Sequence, residues 1–408
     1  MGKRGDQDLF FEIILAVFLG LIFGIITGLL PGIHPNTVVV GLLAISPFLL
    51  SFTSPIIIAI FITVVATVNT FTDAIPSTYL GAPEESTALG ILPMHRFLLQ
   101  GRGHEAILLT VIGGLFALIL GLIITAPLLL VIKAIFPFLQ KTIIYILIAS
   151  VLFLIIREKK SRILALIVFL LSGILGMITL NLPSLPQPLF PLFSGMFGIS
   201  TLLLSLNAKT KIPKQILTSP SITKKDLIKT TPISVFSGGL VSTLPALGSS
   251  QAAIIGSAFL KNTEMKNFLM MIGGINTVNF VLSFISLYTI DKARNGAVVA
   301  ISQIMGAITL SHFLLFLSAA MVGAGFAAIA TVYLSKVFSR VIVRVNYKAL
   351  IISIISFVTL LVIIISGFYG FIIVVTGTAI GMIPSLKGIG KNHLMGSLML
   401  PIILFYLI

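Results

Sequence analysis

The side chains able to do chemistry in this sequence are few and clustered. The run Asn69-Thr70-Phe71-Thr72-Asp73 sets one carboxylate among amides and hydroxyls inside an apolar segment. A carboxylate at membrane depth is costly to desolvate and marks an ion or proton site by default. Asp73, with Thr72 and Asn279, is therefore the candidate coupling-ion set, for Na⁺ or a proton. Asn69 and Thr70, with Asn276 and Thr277 far along the chain, offer neutral donors and acceptors that can hold the oxygens of an anion without fixing them tightly. The same groups can equally tie helix to helix, and Asp73 is simply wet if its helix stops before Thr72.

Two helix breaks supply a second kind of site. Gly28-Leu-Leu-Pro31-Gly32 leads into His34-Pro35-Asn36-Thr37, and Leu244-Pro245-Ala-Leu-Gly248 leads into Ser249-Ser250-Gln251. Helix N-termini carry unpaired N–H groups and partial positive charge, which suit carboxylate or phosphate. Unwound carbonyls suit Na⁺ or a proton donor. Gly32, His34, Asn36, Thr37, Ser249, Ser250 and Gln251 thus join Asn69, Thr70, Asn276 and Thr277 as substrate-binding candidates, with helix capping as the plainer reading of the break residues. His34 can titrate near neutral pH. Glu84 and Glu85 suit the first turn of a helix. His95, Arg96, Arg102 and His104 add cations that attract an anion or mark topology. No nucleophile–base pair, zincin motif or phosphate-binding Walker loop is present, so no catalytic residue and no metal ligand is assigned, and the chain reads as a non-enzyme.

The elements that must position these residues are membrane helices. Of 408 residues, 57% are hydrophobic and 9% charged, and the mean hydropathy is +1.18. Apolar runs of about 20 residues recur from end to end, each long enough to span a bilayer core, without the alternation of a membrane barrel. This gives an all-α polytopic membrane protein, multi-pass in the cytoplasmic membrane of a prokaryote. The net charge of +15 sits in short loops, so it signals topology and lipid contact rather than nucleic acid. Cysteine is absent, which removes disulfide and thiolate chemistry.

In chain order, a first helix covers Leu9–Leu30, with Gly20, Gly24 and Gly28 as a smooth packing stripe. Val38–Phe52 is short for a crossing and reads as part of a re-entrant hairpin. Pro55–Val68 starts a helix broken near Asn69–Asp73. Long apolar segments follow at His104–Ile132, Thr142–Ile156, Ile163–Leu180 and Phe190–Leu206. The loops Arg157–Arg162 and Asn207–Thr231 are basic and expected on the cytoplasmic side. Further segments fall at Ile233–Leu260, Asn267–Ile290, Ala297–Ala319, Phe326–Val345, Leu350–Ile365, Phe368–Ile383 and His393–Ile408.

The chain also echoes itself. Val68-Asn69-Thr70 returns as Ile275-Asn276-Thr277, Ser77-Thr-Tyr79 as Ser286-Leu-Tyr288, and the break at Pro31 as the break at Pro245. The order is conserved between halves at offsets of about 190–215 residues. Residues 1–206 are read as a first membrane repeat, 207–231 as a basic cytoplasmic loop and 232–408 as a second repeat. Paired broken segments in two halves point to a transporter's binding site.

Several stretches resemble one family. They are Gly28-Leu-Leu-Pro31-Gly32-Ile-His34-Pro35, then Tyr79-Leu-Gly81-Ala-Pro83-Glu84, then Leu92-Pro93-Met94-His95-Arg96, then Gln100-Gly101-Arg102-Gly103-His104-Glu105-Ala106, with Leu244-Pro245-Ala-Leu-Gly248-Ser249 as a second turn. Together they resemble the TctA-type large membrane subunit of the tripartite tricarboxylate transporters, in a short, archaeal-like branch. The resemblance implies secondary transport of a carboxylate, with a small membrane subunit and an extracytoplasmic binding protein as partners. Leu80-Gly81 stands where the family usually has two glycines, and Gly90-Ile-Leu-Pro93-Met94 replaces its Asp-Gly-Tyr element, so the tricarboxylate itself does not carry over. The expectation is alternating access for a small organic anion coupled to Na⁺ or H⁺, with no other cofactor and a homodimer as one oligomeric state to test. The rival readings are a translocase for a lipid-linked phosphate, an intramembrane enzyme and a non-transporting scaffold.

Overall fold

The computed structural model of the protein describes residues 2–30, 48–81, 89–183, 185, 188–207, 213–243, 248–260, 264–293, 295–343 and 347–407. These are helical with short connections, and no strand occurs among them. Helix α1 is Gly2–Leu29, α2 is Pro55–Thr72 and α3 is Ala74–Tyr79. Next come α4 (Ile91–Leu99), α5 (Gly103–Ile123), α6 (Thr125–Arg157) and α7 (Arg162–Leu180). Then α8 (Leu189–Phe193) passes through a π turn, Ser194–Ile199, into α9 (Ser200–Asn207). The second half holds α10 (Lys224–Thr243), α11 (Ser249–Phe259), α12 (Met265–Ile290), α13 (Gly296–Met305), α14 (Leu310–Ile342), α15 (Tyr347–Lys387, kinked at Gly367) and α16 (Gly396–Leu407). Seven helical stretches among the described residues are long and apolar enough to cross a bilayer. The protein is a polytopic helical membrane protein.

Several boundaries differ from the sequence expectation, each for a local reason. The break near Asn69–Asp73 shrinks to one residue. Helix runs to Thr72, Asp73 keeps helical dihedrals, and the chain resumes at Ala74. Pro76 lacks the N–H that would bond the Thr72 carbonyl, which loosens one turn without ending the helix. The segment His104–Ile132 stops at Ile123 instead, and α6 restarts at Thr125 with Pro127 in its first turn, where a missing N–H is harmless. The basic loop ends earlier than Thr231, because Thr223 and Asp226 form a reciprocal cap. The Asp226 carboxylate accepts from Thr223 N at 2.9 Å, and the Thr223 hydroxyl accepts from Asp226 N at 3.2 Å. The expected division of Ala297–Ala319 from Phe326–Val345 is also corrected. The break falls at Gly306, at φ 65°, and Leu310–Ile342 is one helix running through Gly323 and Gly325.

Two helix pairs set the architecture. Without a hydrophobic drive between helices in lipid, close van der Waals fit holds them together. Gly20, Gly24 and Gly28 of α1 sit against Val64, Val68 and Thr72 of α2, in that order, so α1 and α2 run parallel. In the second half Asp226, Ser234 and Gly238 of α10 meet Lys266, Gly274 and Val278 of α12, also in order and parallel. The two pairs run in opposite directions. Tyr79, at the end of α3, bonds Ser335 near the end of α14, and His104, at the start of α5, bonds the same Ser335. Glu105 accepts from Thr218 in the irregular segment 213–223, and Lys266, at the start of α12, reaches Ser221 and Asp226. One face therefore gathers the ends of α3 and α14 and the starts of α5, α10 and α12. With Arg102, Lys224, Lys225, Lys336 and Arg340 close by in sequence, it is the basic face.

Helix α12 is the seam of the molecule. Val278, Phe280 and Phe284 belong to one core with α2, α5 and α14, whereas Met271, Ile272 and Ile275 belong to another with α7, α11 and α16. A helix carrying Asn267, Asn276, Thr277, Asn279 and Ser283 survives at this depth because protein, not lipid, surrounds it.

Candidate functional site

The oppositely directed α2/α3 and α12 cross where their polar residues lie. The carboxylate of Asp73 accepts a hydrogen bond from Asn276 Nδ2 at 2.8 Å, and the same amide nitrogen donates to the Thr70 carbonyl at 3.3 Å. Thr70 gives its hydroxyl proton to the Thr67 carbonyl at 2.8 Å. In the Thr70–Thr277 pair, whose oxygens are 3.3 Å apart, Thr277 is therefore the donor. Asp73 is 2% exposed, Asn276 8% and Thr277 1%, so the group is shut off from bulk solvent. Asn276 lies near the middle of the 26-residue α12.

Local sequence explains the alignment. Asn69 and Asp73 are four residues apart on one face of the α2/α3 rod, and the Asp73 N–H bonds the Asn69 carbonyl at 3.0 Å. Gly114 of α5 leaves room for this crossing, since a Cβ there would meet the Thr277 hydroxyl at 2.8 Å and the Phe71 ring at 3.0 Å. Asn69 is 1% exposed, and its Nδ2 has no hydrogen-bond partner among the described residues. An unsatisfied buried donor costs about 1–3 kcal/mol, so an acceptor placed against this amide would stabilise the crossing.

The other sequence candidates divide. Thr72 turns away from the crossing, and its hydroxyl donates to the Val68 carbonyl at 3.1 Å and the Gly24 carbonyl at 3.3 Å, against α1. Asn279 lies on α12 with its backbone beside Gly238 of α10, and no hydrogen bond joins it to Asp73 or Thr72. Ser249 and Ser250 are buried at the N-terminal end of α11. Gln251 lies in α11, and its side chain is outside what is described. Gly32, His34, Asn36 and Thr37, and likewise Glu84 and Glu85, lie outside the described residues.

Sequence reasoning missed a second polar cluster at the basic face. The Tyr79 hydroxyl donates to the Ser335 carbonyl at 3.1 Å and pairs with the Ser339 hydroxyl, and His104 Nδ1 lies 2.8 Å from Ser335 Oγ. The signal was Ser335 and Ser339, one helical turn apart on α14 and each followed by a cation, Lys336 and Arg340. Nearby, Arg102 clasps Glu105 through two bonds of 2.7 and 2.6 Å, and Thr218 adds a third at 3.0 Å. Donating to Glu105 raises the Arg102 pKa further. These contacts fasten the segment 213–223 to the turn before α5, so Arg102 serves structure here. Among the described residues no three His, Asp or Glu side chains converge as a metal site.

The central arrangement gathers group types that ions and oxygen-bearing solutes take as partners. One carboxylate, a peptide carbonyl and hydroxyl oxygens are hard ligands, while amide donors beside them suit oxygen atoms of a solute. Comparison with known proteins agrees with a transport role. The family model described as the tripartite tricarboxylate transporter TctA family matches residues 14–396. The chain is similar to an uncharacterized protein of Methanocaldococcus jannaschii, 31% identical over 385 residues, which cover 92% of this chain and 94% of that one. No solved structure matches the chain. On sequence, extent and helical architecture together, the chain belongs to the tripartite tricarboxylate transporter TctA family, a family of membrane transport components.

Proposed function

We propose that this chain is the permease that carries a small organic anion, a carboxylate, across the membrane by alternating access, coupled to Na⁺ or H⁺. The observation that carries the reading is the buried Asp73 carboxylate held by Asn276 where two oppositely directed helices cross. Two negative charges about 4 Å apart repel by roughly 4 kcal/mol near a protein surface and by more inside it. An anionic solute therefore shares this site with Asp73 only when a cation or a proton neutralises the carboxylate. That requirement is the coupling.

The opposed directions of α1/α2 and α10/α12 support an inverted pair of repeats, the arrangement that makes two access states nearly equivalent. The Asp226–Lys266 ion pair at 3.0 Å places the starts of α10 and α12 side by side. This supports reading α10 and α11 as a re-entrant hairpin that leaves the basic face and returns to it. The positive charge of that face supports a cytoplasmic orientation in a prokaryotic cell membrane. The family's tripartite character supports a small membrane subunit and an extracytoplasmic binding protein as partners.

The test is uptake of labelled citrate, succinate and related di- and tricarboxylates into proteoliposomes holding the purified chain, with imposed Na⁺ or pH gradients. Gradient-driven accumulation of one carboxylate is expected. No accumulation under either gradient, with or without the partner subunits, overturns the reading.

A further inference from the structure

A cavity lined by one lysine lies away from the Asp73–Asn276 crossing, at the basic face. Its volume is about 220 Å³, and it sits between α4, the end of α6, the π turn, α11 and the start of α12. At about 30 Å³ per water, it admits several waters or one small polyatomic anion. Most of its wall is apolar, including Leu154, Phe197 and Phe268. Into that wall projects Lys391, from the short connection between α15 and α16.

The surroundings of Lys391 are unusual for a lysine. Its ammonium donates to Thr201 Oγ1 at 2.6 Å and to Ser200 Oγ at 3.2 Å. Among the described residues no carboxylate lies within ion-pair distance of it. The described carboxylate that touches this turn is committed elsewhere. Glu158 accepts from Gly390 N at 3.0 Å and from Lys160 N at 3.1 Å, and it pairs with His393 Nε2 at 3.2 Å. Burial pushes the Glu158 carboxyl up, but these donors outweigh it and hold it below the usual range. Glu158 thus clamps the turn on both sides of Lys391 and leaves the lysine itself facing hydroxyls. Gly388, at φ 69°, permits the turn. Burial pulls the Lys391 ammonium down to about 8, and burial together with Lys391 lowers the neighbouring His95 to about 4, so His95 stays neutral. Among the described residues this partly buried cation has only neutral partners, and at the edge of a cavity of this size it is short of counter-charge there.

We propose that Lys391, with Thr201 and Ser200, forms an oxyanion-binding site at the basic face, which takes the carboxylate or phosphate oxygens of a small solute. The ammonium supplies charge, and Asn392 and Ser257 line the same cavity as further polar groups. The wall is shared with the α11 arm, through Ala253 and Ile254, whose N-terminal end carries Ser249 and Ser250. If the chain moves an anion as proposed above, this site is a station between the crossing and the basic face. The anion site itself stands on the cavity and the lysine, without that reading.

Isothermal titration of the purified full chain with citrate and, separately, with inorganic phosphate tests it. The variants are Lys391→Met, Lys391→Arg, Thr201→Val and Asn276→Ala. At least one probe binds the wild type. K391M weakens that binding about tenfold or more, as expected for loss of a charge-assisted bond, and T201V weakens it about threefold. K391R retains it. T201V keeps the lysine, so it gives the answer should K391M fail to fold. Binding unchanged in both K391M and T201V, or binding of neither probe by the wild type, overturns the site. Loss of gradient-driven uptake in N276A with citrate or phosphate binding intact separates this site from the central one.

Discussion

The pairs α1/α2 and α10/α12 follow one plan and live in different surroundings. Both are parallel, both pack through small residues, and they run in opposite directions. Yet α1 turns Phe10, Phe11, Phe18 and Phe23 outward, all well exposed, as lipid-facing side chains do in a membrane. Helix α12 is enclosed along nearly its whole length. The contact of α12 with its other neighbour, α5, differs in kind from that of α1 with α2. On α1 the glycines meet mainly side chains of α2, whereas Gly113 of α5 and Gly273 of α12 each meet backbone of the facing helix. Side chains can shift by rotamer changes, while a backbone carbonyl moves only with its helix. The difference teaches that α12 is the fixed interior against which the carboxylate-bearing α2/α3 is registered, and that α1 can yield to lipid.

The strongest way to break this contrast is at the backbone contacts. A Cβ at residue 113 would lie 1.9 Å from the Met270 carbonyl oxygen, and one at residue 273 would lie 2.2 Å from the Thr110 carbonyl oxygen. Gly113→Ala and Gly273→Ala are expected to force α5 and α12 apart, at a cost of about 3 kcal/mol or more. The loss should be visible as poor recovery of monodisperse protein in detergent and a sharply lowered Tm. Gly20→Ala, which meets chiefly the Val64 side chain at 2.8 Å, should lower Tm by clearly less. Equal losses in the outer and inner variants would end the distinction.

The next effect lies at the crossing. Asn276→Ala removes a hydrogen bond to a buried carboxylate, worth about 1.5–3 kcal/mol, and is expected to reduce carboxylate uptake by tenfold or more while the protein still folds. Thr277→Val removes a neutral bond to Thr70, worth about 0.5–1.5 kcal/mol, and should reduce uptake severalfold. Initial rates in proteoliposomes check both. A T277V defect larger than that of N276A would contradict the ranking.

The smallest effect is electrostatic and sits at the basic face. Burial pushes the Asp226 carboxyl up, but bonds from Thr223 and Lys266 prevail and hold its pKa well below the usual range. A carboxyl depressed in the folded state stabilises above its unfolded pKa and loses that contribution as pH falls through the folded pKa. The wild type should therefore lose more Tm than Asp226→Asn on acidification from about pH 5 toward 3. Parallel Tm curves for the two proteins would show that the cap contributes nothing.

Much of this was legible in the sequence, for identifiable reasons. Apolar runs announce spans, and the four-residue spacing of Gly20, Gly24 and Gly28 announces a close helix contact, which α2 fills. The echo of Asn69-Thr70 in Asn276-Thr277 named residues from both halves that the fold brings into contact through Asp73. What was lost is helical phase and distance. Thr72 is adjacent to Asp73 but about 100° round the helix, so it serves α1 instead. Asn279 is close to Asn276 in sequence and lies towards α10. The continuity of α14 was hidden because glycines inside a membrane helix look like breaks until their dihedrals are known. Lys391 drew no attention because Ser200 and Thr201 lie half the chain away from it.

The central claim is that Asp73 couples ion and solute at the crossing. The direct measurement compares Asp73→Asn with wild type in proteoliposomes in two modes, gradient-driven accumulation of the transported carboxylate and solute counterflow without an ion gradient. The account predicts that D73N keeps counterflow, since the amide leaves room for the anion without a repelling charge, and loses accumulation driven by Na⁺ or H⁺. Wild-type accumulation by D73N would contradict it and reduce Asp73 to a buried helix-to-helix bond.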